Sequence, residues 1–335
     1  MAKALRRLSH EVSFVSLRDG PLRAAFISAN AKEDVRPDEV FDLYVANTIL
    51  SVPTALRLSP SLERVVAWIH ESVRGPEMAE LSARELLLHE LKYAAFPSRF
   101  QMREFRPFMR TTRFFLLRNC VEQVALPEPS GEKPYFVAVG CWSENKNQVA
   151  IVELMQRCGI LGNVAFIGAG RPEYLRNSGH RFVGQVPNDE SREIIARSRG
   201  LLSASLSETQ NRSAIEAARS GRPVMLSDIP GHRELRTLIR DINLFDPSDP
   251  ESFRSALFRL EKQLGDDSVR YRLQGHAVKY FGEETFTREL KRLIDLVTRG
   301  ITNGYGWNVL RKVSKSVERI KGMVVDMRKP MAPRS

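Results

Sequence analysis

Glu208 and Glu216 stand eight positions apart in Ser207-Glu208-Thr209-Gln210-Asn211-Arg212-Ser213-Ala214-Ile215-Glu216, which runs on through Ala217-Ala218-Arg219-Ser220-Gly221-Arg222-Pro223-Val224. The second acid lies inside a short helix that Gly221 and Pro223 close, and an apolar strand over 223–226 follows at once. A helix beginning near Asn211 puts Glu208 just before its N-terminus and Glu216 more than one turn along it. Helix N-termini carry unpaired amides and partial positive charge. The backbone N–H groups of Asn211, Arg212 and Ser213 therefore suit a phosphate, with the Arg212 side chain adding charge. Carboxylates accept hydrogen bonds from paired hydroxyls. A phosphate seat between two carboxylates fits a ligand with hydroxyls on both sides of its phosphate, and a nucleotide sugar is such a ligand.

The elements that must position these groups read as alternating strand and helix. Short apolar runs over 10–17, 42–47, 64–70, 93–98 and 114–117 are of buried-strand type, with helical segments such as 83–91 between them. That alternation predicts parallel sheets covered by helices. The stretch 126–134, Leu-Pro-Glu-Pro-Ser-Gly-Glu-Lys-Pro, reads as a linker. It divides a first domain over 1–125 from a second over 135–280. Beyond it, Phe286, Leu290, Leu293, Ile294 and Val297 fall on one face of a helix over 281–300. His70, in Trp68-Ile69-His70-Glu71-Ser72, ends a strand of the first domain, where open α/β sheets place ligand contacts. Gly168 and Gly170 follow a strand and permit either close backbone approach to a ligand or a tight turn.

Composition narrows the class. A chain of 335 residues is long enough for two domains with sizeable cores. No run of about 18 apolar residues is present, and Met1–Arg7 has no apolar segment behind its basic residues. Cys120, Cys141 and Cys158 are odd in number and widely spaced, which argues against a disulfide framework and a zinc site and suits a reducing cytoplasm. Of the net charge of +11, +6 lies in the tail from Trp307 to Ser335. Within the basic segment 301–335, Leu310, Val313, Val317, Ile320, Val324 and Met327 share one helical face. That stripe with flanking cations over 307–329 fits an anionic membrane surface or a helix docked on the protein's own surface. Nucleic acid is not expected, because aromatic residues do not interleave with the basic ones beyond Trp307.

The ordered set of motifs resembles the retaining family 4 glycosyltransferases. Val137-Ala138-Val139-Gly140, Asn145-Lys146-Asn147-Gln148 and Val164-Ala165-Phe166-Ile167-Gly168-Ala169-Gly170 come first. Phe182-Val183-Gly184-Gln185-Val186, the paired glutamates, Ser227-Asp228-Ile229-Pro230-Gly231-His232 and Asn243-Leu244-Phe245-Asp246-Pro247 follow in order. The resemblance is good over 135–262 and looser before it. It implies an α/β protein of GT-B fold: two Rossmann-like domains with parallel sheets facing across a cleft, plus a C-terminal helical tail and a helix over 281–300 that crosses back to the first domain.

It also implies roles. Glu208 would contact the transferred sugar and Glu216 the ribose hydroxyls. Lys146 would neutralise the departing diphosphate without a metal or other cofactor, and His70 would serve the sugar or acceptor side. The donor would be a nucleotide sugar and the acceptor a glycan or lipid-linked glycan. The setting would be surface polysaccharide biosynthesis in the cytoplasm, peripheral to the inner face of the membrane.

Departures accompany the matches. The family opens with a strand, a glycine-rich turn and a helix leading into Gly-His-Glu-Val, whereas residues 1–12 read as the last turns of that helix. Cys141 stands where many relatives carry a phosphate-binding arginine, and Cys120 replaces the glycine of an Asn-Gly turn. Two classes therefore stand: a transferase, or a truncated, weakly active or inactive relative that binds a nucleotide sugar or a partner.

Overall fold

The computed structural model describes residues 1–16, 21–33, 39–73, 90–122, 135–160, 164–170, 173–175 and 178–302. The linker 126–134, the tail over 307–329 and most of the helix expected over 83–91 lie outside them. Two compact units divide the chain: unit 1 takes residues 1–117 together with the chain from Phe286 onward, and unit 2 takes 118–285. Among the described residues, no helix is long and apolar enough to cross a membrane.

Unit 1 holds two parallel sheets. The smaller pairs β1 (Ser13–Phe14) with β2 (Lys32–Glu33). The larger runs β3 (Tyr44–Ala46), β4 (Val65–Trp68), β5 (Tyr93–Phe96) and β6 (Arg113–Leu116), side by side in that order. All four residues of β4 are buried, as in a strand covered on both faces. The Trp68 indole donates to the Leu117 carbonyl at 3.1 Å. Around these strands the chain forms α1 (Ala2–Arg7), α2 (Pro21–Ser28), α3 (Val52–Leu58) and α4 (Arg99–Phe105). Buried Gln101 of α4 donates to the carbonyls of Ile69 and Glu71, fixing the turn after β4.

Unit 2 is a single six-stranded parallel sheet. Its strands are β7 (Phe136–Val139), β8 (Val164–Ile167), β9 (Arg181–Gly184), β10 (Gly200–Ser203), β11 (Val224–Ser227) and β12 (Asn243–Phe245). They lie in the order β12-β11-β10-β7-β8-β9, a doubly wound arrangement whose order reverses between β7 and β10. Crossovers carry α5 (Gln148–Arg157), α6 (Asn188–Arg197), α7 (Arg212–Arg219) and α8 (Pro230–Leu238), and α9 (Pro250–Gln263) and α10 (Asp267–Phe281) follow the last strand. Successive strand residues point to opposite faces. Val137, Leu201, Val224 and Leu226 thus meet Ala214, Ala218, Leu273 and Phe281 on one side. Phe136, Leu202 and Met225 meet Ile151, Met155, Phe253 and Leu260 on the other.

A final helix, α11 (Glu283–Thr302), begins in unit 2 and continues in unit 1, where Phe286, Leu290, Leu293, Ile294 and Val297 are buried. The Phe286 and Trp68 rings lie 5.9 Å apart.

The end of α7 has a definite cause. Gly221 takes φ +68°, its amide donates to Ala218, and the Arg222 amide donates to Ala217. This paired closure satisfies two of the last carbonyls and needs a residue that tolerates positive φ. An added Cβ would also meet Arg270 Cγ at 2.6 Å. Gly221→Ala is expected to lower stability by more than about 1 kcal/mol. A denaturation midpoint equal to wild type would remove this account of the helix end.

Candidate functional site

The loop after β7 and the loop after β10 leave the sheet on either side of its switch point, where doubly wound proteins bind ligands. Gly140, at φ +143°, lets the Lys146 chain lie across it; a Cβ there would stand 3.2 Å from Lys146 Cε. Lys146 Nζ reaches Glu208 Oε1 at 2.5 Å. The glutamate is 11% exposed and the lysine 32%. The loops are also stitched along their backbones. The Leu206 amide donates to the Asn145 carbonyl at 2.8 Å, and Asn145 Nδ2 donates to the Ser207 carbonyl at 3.1 Å.

From Glu208 a polar chain leads to the start of α7. Ser205 Oγ donates to Glu208 Oε1 at 3.0 Å, and the Ser203 and Ser205 hydroxyls lie 3.1 Å apart. Asn211 Nδ2 donates to Ser203 Oγ at 3.2 Å. Asn211 is the N-cap of α7, its Oδ1 accepting from the Ala214 amide at 3.1 Å and the Ser213 hydroxyl at 2.9 Å. One helix start, one carboxylate and one ammonium are therefore joined by hydrogen bonds. Such a group can take an anion at the helix and the lysine, and hydroxyls at the glutamate.

Glu216 is one turn further along α7 and 14% exposed. Burial pushes its carboxyl above the usual range, opposed by the nearby Arg212 and Arg192 guanidiniums. Arg212 Nη2 lies 3.8 Å from Glu216 Oε1, so its nearest partner is this carboxylate, one turn away on the same helix.

The glycines have packing partners of their own. A Cβ on Gly168 would meet the Gly140 carbonyl oxygen at 2.1 Å, so the neighbour demanding its absence is the turn after β7. Gly170 lies against Trp142, whose ring packs on Phe166. Cys141 is exposed, and its carbonyl accepts from Gln148 Nε2 at 3.0 Å.

His70 belongs to unit 1, and Glu208 to unit 2. The histidine follows β4, with Nε2 at 3.4 Å from Asn47 Oδ1 and its ring 4.4 Å from that of Trp68. The adjacent Glu71 carboxylate accepts from the amides of Ile49 and His70, pinning that turn.

Reading the sequence missed the serines at 203, 205 and 227 and, above all, His232. This imidazole is fully buried at 0% exposure, and burial holds it below the ordinary histidine range. It touches Asn211 Nδ2 through Nε2 at 3.1 Å and the Ser227 carbonyl through Nδ1 at 2.8 Å. Beside it, a Cβ on Gly231 would stand 2.0 Å from the Glu208 carbonyl, so the first turn of α8 presses directly on the acid's loop. The signal was the run Pro230-Gly231-His232, whose small and polar residues open a helix.

Residues 133–263 match the family model described as Glycosyl transferases group 1. A search of the curated proteins finds no match. Among solved structures, Anabaena HepE in complex with UDP and glucose gives a TM-score of 0.69 at 15% identity, covering 88% of this chain and 94% of that one. Sucrose-phosphate synthase from Thermosynechococcus elongatus gives 0.68 at 15% identity over 89% and 92%. WaaG, a glycosyltransferase involved in lipopolysaccharide biosynthesis, gives 0.52 at 16% over 70% and 74%. The fold is GT-B. Within it, residues 133–263 are the part similar to the group 1 glycosyltransferases.

The raised carboxyl of Glu216 has a measurable consequence without ligand. Its folded-state value lies above that of a free glutamate, so the folded protein binds more protons than the unfolded chain just above the ordinary carboxyl range. Stability from this group is present below that window and lost as pH rises through it. Glu216→Gln is therefore expected to be more stable than wild type at neutral pH and equal to it near pH 4. A calorimetric pH series in which the variant is the less stable at neutral pH would refute this.

Proposed function

We propose that the protein is a retaining glycosyltransferase that moves a sugar from a nucleotide sugar to a glycan or lipid-linked acceptor. The observation that carries this reading is the Lys146–Glu208 pair, hydrogen-bonded through Ser205 and Ser203 to the capped start of α7. In this reading the diphosphate sits at the first-turn amides of α7, and Lys146, with three donor positions, bonds a phosphate oxygen as well as Glu208. Glu216 takes the ribose hydroxyls and Glu208 the hydroxyls of the transferred sugar. Gly168 and Gly170 hold the turn beside the donor, and His70 serves the acceptor side.

The reaction needs few protein groups. The bond from the anomeric carbon to phosphate breaks as the acceptor oxygen adds on the same face, and the acceptor proton passes to the leaving diphosphate. Negative charge grows on that diphosphate, where the Lys146 ammonium and the α7 amides stabilise it without a metal. Support comes from the family model matching 133–263 and from the GT-B neighbours. HepE is described in complex with UDP-glucose, and TarM with UDP and α-GlcNAc-glycerol. Surface polysaccharide assembly at the inner membrane face, with the basic tail over 307–329 as the anchor, completes the proposal.

A second reading is a nucleotide-sugar-binding or interaction protein with weak transfer. It is favoured by the division of unit 1 into two sheets, one of them only two residues long in each strand. Turnover separates the two.

Glu216→Ala is expected to weaken nucleotide diphosphate binding about tenfold or more, from the loss of charge-assisted hydrogen bonds worth about 1.5–3 kcal/mol. Glu208→Ala is expected to leave nucleotide affinity nearly intact and slow transfer. Titration calorimetry with UDP and other nucleoside diphosphates, followed by donor hydrolysis and transfer assays, checks both. Unchanged affinity in the Glu216 variant would cancel the ribose assignment.

A further inference from the structure

The hydrogen bonds around His232 admit one arrangement. The Ser227 carbonyl, 2.8 Å from Nδ1, can only accept, so Nδ1 carries the proton. Ser227 Oγ also lies 3.2 Å from Nδ1, but its own proton goes to the Ser205 carbonyl at 2.5 Å. A neutral ring protonated at Nδ1 offers a lone pair at Nε2. The atom of Asn211 facing that lone pair must therefore be the donor Nδ2, 3.1 Å away. Once Nδ2 is fixed, Oδ1 has to face the Ala214 amide and the Ser213 hydroxyl. A flipped amide would set oxygen against the Nε2 lone pair and NH2 against the Ala214 amide, opposing like groups at both ends. The tautomer of one buried ring thus decides whether α7 is capped and whether Ser203 receives a donor.

We propose that His232 is a positioning residue of the nucleotide-sugar site. Through Asn211 it holds the α7 start in the state that receives phosphate, and through Ser203 and Ser205 it orients Glu208. The inference rests on the donor-site reading above. It adds a control point on α8, beyond the paired glutamates and Lys146. His232 itself touches no ligand in this scheme, so its removal should act on Asn211 first and on the ligand second.

The test has one arm that needs no ligand and one that does. In the free protein, nitrogen-15 spectra of the ring should show Nδ1 protonated and Nε2 bare. His232→Gln places an amide oxygen near the Nε2 position, whereas His232→Phe offers no acceptor. The Ala214 amide should exchange faster in the Phe variant and near the wild-type rate in the Gln variant. UDP affinity should fall about five- to tenfold in the Phe variant, the usual worth of a lost cap, and recover to within about twofold in the Gln variant.

Should His232→Phe fail to fold, Asn211→Asp serves. It keeps the cap oxygen but sets a second oxygen against Nε2, so His232 should become doubly protonated at neutral pH. An Nε2–H tautomer in wild type, or equal Ala214 exchange in both His232 variants, overturns the proposal. So does UDP affinity that is unchanged in the Phe variant or equally lost in both. Wild-type protein that binds no nucleotide diphosphate would instead defeat the donor-site reading, while the ligand-free arm still decides the tautomer and the cap.

Discussion

The ion pair between Lys146 and Glu208 joins two loops that are 62 residues apart in the chain and neighbours only because β7 and β10 lie side by side. Taking a carboxylate and an ammonium out of water is costly, and pairing them seldom repays more than that cost. The pair is therefore a poor explanation of stability. It is better understood as charge held in place: a cation near a helix start, and an acid whose other oxygen remains for hydroxyls. A preorganised arrangement of this kind needs no rearrangement when negative charge develops nearby. The serines and Asn211 matter because they set the direction of the acid and of the helix end together.

Close backbone contact makes the arrangement possible. Gly168 is pressed against Gly140, and Gly231 against the Glu208 carbonyl, at distances no side chain would allow. Each of these glycines answers to a protein neighbour, and together they set how near the loops after β7, β8 and β10 and the start of α8 can come. The same packing buries His232 completely, which favours the neutral ring and gives its tautomer structural weight.

The two units differ in how their sheets are made. Unit 2 has one continuous six-stranded sheet with a core on each face. Unit 1 divides its strands between a four-stranded sheet and a two-residue pairing. Apolar runs such as 10–17 contain enough β-formers to read as full strands, yet among the described residues of that run only Ser13–Phe14 forms a strand. A strand is a property of pairing and burial more than of its own residues. The run 64–70, by contrast, forms a fully buried β4 between two partners.

Much of unit 2 was legible from the chain alone. Local rules suffice for α7: a capping residue at Asn211, a small apolar face, and a glycine that must take positive φ at its end. The eight-residue spacing of Glu208 and Glu216 about that start followed directly, because helix geometry is local. Nothing local announces that Lys146 would reach Glu208 or that Gly168 would answer to Gly140. The run Pro230-Gly231-His232 marks a helix start but not the role of the ring, which comes from a carbonyl on β11 and an amide at α7 that the fold brings to its two nitrogens. Short-range spacing determines which residues share an element. Only tertiary packing decides which elements meet, because hydrogen bonds across a sheet depend on strand order, and strand order is not written in any one segment.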